Sequence, residues 1–273
     1  MKLVQILLLI FLVFTAISCA PVDPSGLVTS GDVDDRYTDS LTLPGKADLT
    51  FTETSFSFIV ISDTHVYQKT SQKLAALKSQ INPSQDKFIL ICGDITQSGS
   101  LEDLLAFQSY MAQINLPFYT AIGNHDIYFK NWPNYKQVLG KSCYSLKAGP
   151  VRIISMDSAN GTIGQKQKNW LEQTLEAKTE SLCFVFTHFG FFSPGTGSLQ
   201  QYTDTREVYY LMHLFETHGV NYVFMGHTHI YDFHQANNVN YLNLADFSDD
   251  GTSKDFIRVF VNGSNITYQR ITL

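Results

Sequence analysis

Between residues 56 and 228 of this 273-residue chain, short apolar runs alternate with segments of helical spacing, which confines the fold to layered α/β architectures. The runs are "FSFIVIS", "KFILICG", "LPFYTAIG", "VRIISMDS", "SLCFVFTH" and "VNYVFMGH", and each reads as a strand. Between them, residues 69–81, 101–114, 164–178 and 204–217 carry helix-like spacing. Near the C-terminus "VNYLNLA", "DFIRVFVNG" and "NITYQRITL" read as further strands, antiparallel and joined by tight turns at Gly251 and Gly263. With no internal repeat and no second linker, one compact α/β domain over residues 51–273 is the economical reading.

The N-terminal residues do not read as part of that domain. Lys2 precedes an apolar run, Leu3 to Phe14, which is too short for an ordinary membrane-spanning helix. Ala16 and Ser18 then lead to Cys19, so residues 1–18 read as a signal peptide. Cysteine at the first mature position resembles a bacterial lipoprotein signal, with Cys19 the lipidated residue. Plain secretion and a simple signal anchor are the alternatives. The favoured readings place the domain outside the cytoplasm, lipid-anchored to a bacterial membrane or else secreted. Residues 19–50 are polar, acidic and rich in turn formers, and read as a flexible tether. The net charge of −6 gives no general electrostatic grip on nucleic acid or an anionic membrane, so membrane contact is expected only through the anchor. Cys92 and Cys183 lie within apolar runs and read as buried hydrophobes rather than metal ligands.

Five strand candidates end in chemically similar clusters. They are "SDTH" with Asp63 and His65, "CGD" with Asp94, "GNHD" with Asn124, His125 and Asp126, "FTHFG" with His188, and "MGHTH" with His227 and His229. Ligands of α/β sheets bind outside the carboxyl ends of strands, so the five clusters can converge on one crevice. Glycines before Asp94, Asn124 and His227 are expected to allow sharp turns there. Taken singly, each cluster has an ordinary explanation: a capped turn, a common turn dipeptide, a satisfied interior histidine. Five in order, each closing an apolar strand, do not. Two carboxylates, one amide oxygen and four histidines, with His125 left over, suit borderline divalent metals such as Mn, Fe, Zn or Co. Seven donors exceed the needs of one tetrahedral ion and match two ions sharing a carboxylate, with open positions for water.

The ordered set Asp63-x-His65, Gly93-Asp94, Gly123-Asn124-His125-Asp126, His188, Gly226-His227-x-His229 resembles the calcineurin-like metallophosphoesterase superfamily, over roughly residues 56 to 270. The resemblance implies a four-layer α/β/β/α sandwich of two mixed sheets. It implies that Asp63, His65 and His229 hold one metal, that Asn124, His188 and His227 hold the other, and that Asp94 bridges. It makes His125 the non-ligand histidine that contacts phosphate and protonates the leaving oxygen. That role agrees with the residue count, in which His125 is the one uncommitted imidazole.

Departures narrow the choice within the superfamily. Its protein Ser/Thr phosphatases follow Gly-Asp with an Asp three residues on and then an Arg. Here "GDITQSG" has Gln97 and Ser98, which also removes the carboxylate that would orient His125. Purple acid phosphatases carry a Tyr ligand at the same place, and Gln97 cannot replace it. The motifs look closest to the bacterial branch containing class III cyclic-nucleotide phosphodiesterases, although "THFGFF" in place of His-His-Pro counts against a cyclic nucleotide. Aromatic-rich loops at 126–135 and 189–202, the second with the Gly/Pro content of a mobile flap, either contact substrate or pack as a satellite cluster. Lys130 and Arg206 are the nearest candidate cations for a second phosphate. Asp157, closing "VRIISMDS", reads as structural. The expected function is hydrolysis of a phosphomonoester or phosphodiester by in-line attack of a metal-bound hydroxide. Alternatives are an exported nucleotidase or nuclease, a phospholipid-type phosphodiesterase, and a catalytically silent surface binding protein on the same fold.

Overall fold

In β1 (Ser55–Ile61) and β2 (Asp86–Cys92) apolar side chains run almost unbroken, because both faces of each strand are covered. Phe56, Phe58, Val60, Phe88, Leu90 and Cys92 enter one apolar layer, while Ile59, Ile61, Ile89 and Ile91 enter another. The computed structural model describes residues 32–192 and 202–273, so the expected leader, Cys19 and the centre of the 189–202 loop lie outside the described residues. Among the described residues no helix is long and apolar enough to cross a membrane.

Two mixed sheets face one another across the first of those layers. In one, β1, β2 and β3 (Phe118–Ala121) are parallel, and β10 (Asp255–Asn262) and β11 (Asn265–Thr272) continue it antiparallel in the order β11-β10-β1-β2-β3. The other contains β4 (Tyr144–Ala148), β5 (Val151–Ser155), β6 (Leu182–Phe186), β7 (Tyr222–Met225), β8 (Asp232–Ala236) and β9 (Val239–Asn243). Its order is β4-β5-β6-β7-β9-β8, parallel except at the two edges. Phe58 stacks on Phe88 at 4.7 Å within its own sheet and meets Phe184 of the other sheet at 5.1 Å.

Helices close the outer faces. α2 (Gln72–Leu77), α3 (Leu101–Ile114) and α4 (Trp132–Val138) cover the first sheet through Leu74, Phe107 and Tyr135. α5 (Gly164–Glu176) and α6 (Thr205–Thr217) cover the second through Leu171, Leu211 and Phe215. The result is the four-layer α/β/β/α sandwich.

Two expectations need correction. Gly263 does turn the β10–β11 hairpin at φ +61, but Gly251 joins no antiparallel pair. β9 is buried on both faces and lies parallel to β7, so the chain from 244 to 254 crosses from one sheet to the other. The second correction concerns the tether, of which residues 32–50 are docked. Asp32 caps α1 (Val33–Leu41) by accepting from the Asp34 N–H at 2.7 Å. Arg36, 1% exposed, then makes a two-point hydrogen-bonded ion pair with Asp157, at 2.8 Å from Nε and 2.8 Å from Nη2. Asp39 accepts from Trp132 Nε1 at 3.0 Å and Lys136 Nζ at 2.9 Å, which ties α1 to α4.

Glu180, ahead of β6, pairs with Lys147 on β4 at 2.8 Å and Arg152 on β5 at 3.0 Å. Burial alone would raise its pKa, but hydrogen bonds from Lys147, the backbone and Arg152 outweigh it and lower the carboxyl to about 2. A carboxyl depressed in the folded state stabilises the fold above its unfolded value of about 4.5 and loses that contribution as the pH falls toward 2. The difference in urea midpoint between wild type and Glu180→Gln should therefore be full at pH 7 and shrink from pH 4.5 downward. A difference independent of pH would show that the ion pairs are not its source.

Candidate metal centre

The carboxyl ends of β1, β2 and β3 in one sheet and of β6 and β7 in the other open at the same place, and the expected donors all sit in the turns that follow. Five of them hold left-handed backbone: Asp63 (φ 53), His65 (φ 40), Asp94 (φ 49), His227 (φ 71) and His229 (φ 58). For non-glycine residues such conformations cost on the order of 1–3 kcal/mol each and persist only where the surroundings impose them. The imposition is partly visible in the backbone. Asp63 N–H donates to Gly93 O at 3.1 Å and His65 N–H to Asp94 O at 3.0 Å, extending the β1–β2 ladder past the strand ends.

Of the motif glycines, Gly93 turns at φ +88 as expected, whereas Gly123 and Gly226 have no positive φ and serve close approach instead. A Cβ on Gly123 would lie 2.1 Å from Asp94 Oδ1, and one on Gly226 would lie 1.9 Å from Ser62 Oγ and 2.5 Å from Asp63 Oδ2.

The side chains fall into groups around Asp94. On one side His229 Nε2 is 3.4 Å from Asp63 Oδ1 and 3.3 Å from His65 Nε2. On the other, His188 Nε2 is 3.0 Å from Asn124 Oδ1 and 3.2 Å from His227 Nδ1. Between them, Asp94 Oδ2 lies 3.2 Å from His188 Nε2, 3.7 Å from His65 Nε2 and 4.0 Å from His125 Nε2. Three groupings could each hold a cation: Asp63/His65/His229, Asp94/His188/His227 and His65/Asp94/His125.

The chemistry of these donors fits divalent metal. His188 Nδ1 donates to Cys92 O at 2.9 Å, so in the neutral ring the Nε2 lone pair faces Asn124, Asp94 and His227. Nitrogen pairs at 3.2–3.3 Å with carboxylates behind them need an electrophile among them. Two further ring atoms, His65 Nδ1 and His227 Nε2, are buried and have no hydrogen-bond partner.

Burial disfavours charge on every group here, and neighbours decide the net direction. For Asp94 burial is overcome by His188 and His125, leaving the carboxyl well below the usual range. For Asp63 burial is overcome by the His229 hydrogen bond and His188. Burial also works against His188, yet Asp94 and Asp63 raise it to about 9. Burial lowers His227 to about 4, assisted by the His188 charge. A proton on His188 thus balances the carboxylates, and metal uptake would release it.

The surrounding shell contains contacts that sequence reading missed. His125 Nδ1 donates to the main-chain carbonyl of Gln97 at 2.8 Å, so a backbone group supplies the orientation expected to be lost with the missing carboxylate. Asp126, fully buried, accepts from Thr96 N–H at 3.1 Å and Gly123 N–H at 2.9 Å, which fixes the loop. Burial and Asp94 hold its pKa near 7. Phe189, the second residue of "HFGFF", stacks on the His227 ring at 4.0 Å. Asn243 ties down the His227–His229 turn by donating to Thr228 Oγ1 at 2.6 Å and Ile230 O at 2.8 Å. Identical residues occur throughout the chain, and only the three-dimensional neighbours mark these.

A cleft of about 770 Å³ opens beside His65, His125 and His229, with Tyr67, Gln97 and Asp246 also in its wall. Neither lysine nor arginine lines it among the described residues. The two expected cations are not there. Arg206 is 89% exposed, pairs with Asp204 at 2.8 Å, and borders a separate cavity beside α5 and α6. Lys130 is exposed beyond Phe129 and does not line the cleft. Phe191 and Tyr202, at the described ends of the 189–202 loop, pack into the outer core, 5.3 Å apart between ring centres.

Residues 56–231 match the calcineurin-like phosphoesterase family. A curated relative, the "Probable glycerophosphodiester phosphodiesterase GpdQ" of Arcobacter nitrofigilis, is 27% identical over 158 residues, 48% of this chain and 55% of the relative. The chain thus spans about half the length of the curated relative it matches. Among solved structures, the yellow lupin purple acid phosphatase PPD1 superposes with a TM-score of 0.64 at 16% identity, over 84% of this chain and 52% of that one. A Danio rerio dimetal phosphatase gives 0.64 at 13% identity, over 81% and 97%. At such identities the likeness is one of fold. The family match covers the segment that carries every donor and ends just before β8, and on it rests the conclusion that this chain belongs to the calcineurin-like phosphoesterase family.

Proposed function

We propose that the protein is a dimetal phosphodiesterase, hydrolysing a phosphodiester to a phosphomonoester and an alcohol. The observation that carries this is the convergence of seven donors in two groups around a single shared carboxylate, Asp94. Asp63, His65 and His229 would hold one divalent ion, Asn124, His188 and His227 the other, with Asp94 common to both. When bound, the ions would supply Lewis-acid stabilisation of the phosphoryl oxygens and an activated water nucleophile.

The chain's own residues supply the rest. Gln97 O holds His125 with Nδ1 protonated and Nε2 turned to the Asp94 side of the cleft. As imidazolium, His125 donates its Nε2 proton to the ester oxygen that departs with the P–O bonding pair. Stacked Phe189 and the Asn243 contacts hold the His227 turn against rotation. A diester is favoured over a monoester because a diester carries one negative charge. A monoester dianion would meet a cleft walled by Asp246, Asp249 and Asp250, without lysine or arginine among the described lining. The name of the curated relative points to the same ester class.

The test combines metal analysis with a leaving-group comparison. Wild type should take up two equivalents of Mn or Zn and hydrolyse diesters faster than the matching monoesters. His125→Ala should keep its metal and lose about 10²–10⁴-fold on alkyl diesters. Its loss on p-nitrophenyl diesters should be smaller, because nitrophenolate departs without needing a proton. No turnover of any ester after Mn or Zn supplementation would overturn the reading.

A further inference from the structure

We infer that Tyr128 is a positioning residue that sets two members of the site at once, the Asn124 carboxamide and the His125 ring. The inference rests on the proposed role of Asn124 as a metal ligand. A short 3₁₀ turn, His125–Ile127, brings residue 128 back over residue 124. Asn124 Nδ2 donates to the Tyr128 hydroxyl at 2.9 Å, while Asn124 Oδ1 faces His188 Nε2 at 3.0 Å. The Tyr128 ring lies 4.4 Å from the His125 ring, tilted by 37°.

The amide is the weak point of the donor set. Its oxygen and nitrogen have nearly the same shape, yet only the oxygen can serve a cation. Asn124 is 3% exposed, so an NH₂ turned away from the cluster finds no bulk water and needs a protein acceptor. The tyrosine hydroxyl oxygen is that acceptor. Turning the amide over would remove this donor–acceptor pair and aim NH₂ at the ligand cluster. The ring has a separate task. Gln97 O fixes one edge of His125, and the Tyr128 face limits rotation about that hydrogen bond, keeping Nε2 toward the cleft.

The two tasks separate by substitution. Calorimetric titration of the metal-free protein with Mn²⁺ should show two uptake events in wild type. In Tyr128→Phe one event should weaken about 10–100-fold while the other is unchanged. In an Asn124→Ala background the hydroxyl has nothing to orient, so adding Tyr128→Phe should change the titration no further. With metal saturating, Tyr128→Phe should keep the wild-type dependence of kcat on leaving-group pKa, because the ring remains. Tyr128→Leu should steepen that dependence, losing most on alkyl esters and least on p-nitrophenyl esters. Should Tyr128→Leu fail to fold, Tyr128→Phe alone decides the amide half. Tyr128→Phe binding Mn²⁺ at both sites like wild type would overturn the assignment. A wild type that takes up no Mn²⁺ would overturn the metal reading, and the role of Tyr128 with it.

Discussion

If Asp94 is the shared ligand of the proposed dimetal site, Asp94→Asn should lower phosphodiester turnover by at least about 10³-fold while leaving a folded protein, because several kcal/mol of Lewis-acid stabilisation would depend on this carboxylate. The substitution keeps the shape of the side chain, and the amide oxygen can still accept from the His125 N–H, now 2.9 Å from Asp94 Oδ1. What it removes is the anionic Oδ2 that lies within 4.0 Å of His188, His65 and His125. It also removes the charge that raises His188 to about 9. Metal content by mass spectrometry, kcat/KM on a p-nitrophenyl diester and a thermal melt distinguish the outcomes. Full turnover with full metal content would sink the two-group reading of the site. Loss of the melt would show instead that Asp94 is needed for folding.

Arg36→Ala should cost about 3–5 kcal/mol of unfolding free energy, a large effect for a residue in what reads as a tether. The mechanism is an orphaned charge. Asp157 is fully buried, and beyond Arg36 its carboxylate accepts from the Ala159 N–H at 3.2 Å. Removing the guanidinium leaves that charge buried without its ion-pair partner, and the helix also loses a packed side chain. Combining Arg36→Met with Asp157→Asn should recover much of the loss, since the unpaired charge is then gone. Urea unfolding of wild type and the two variants tests this. A single-variant loss below about 1 kcal/mol would mean that α1 is detachable, as an exposed pair would be.

The same helix shows what could not be read in advance. "VDDRYTDSL" is polar, and no apolar stripe announces it. Arg36 finds its partner 121 residues away, so nothing local reveals that the arginine is buried. β8, "DFHQA", is illegible in the sequence for a related reason: it is a polar edge strand, ordered by pairing with β9 and not by a hydrophobic pattern. Gly251 looks like a hairpin turn only if sequence neighbours are sheet neighbours, whereas β9 occupies a position covered on both faces.

The strands of the central sheets and the donors that follow them were legible, because each rule involved acts over a few residues. Alternate side chains of an extended chain face opposite layers, and a strand must end in a turn that exposes what comes next. Those rules gathered Asp63, His65, Asp94, Asn124, His188, His227 and His229 without coordinates. Tertiary structure decided which groups stand behind them. Gln97 supplies a carbonyl, Tyr128 a hydroxyl and Phe189 a ring face, and Arg206 lies at another surface altogether. Any residue has a carbonyl and many have a ring or a hydroxyl, so identity alone carries no signal; distance does. The sequence by itself thus determined the layers and the donors, through local periodicity, while the contacts that orient them belong to pairs brought together only by the packing of two sheets.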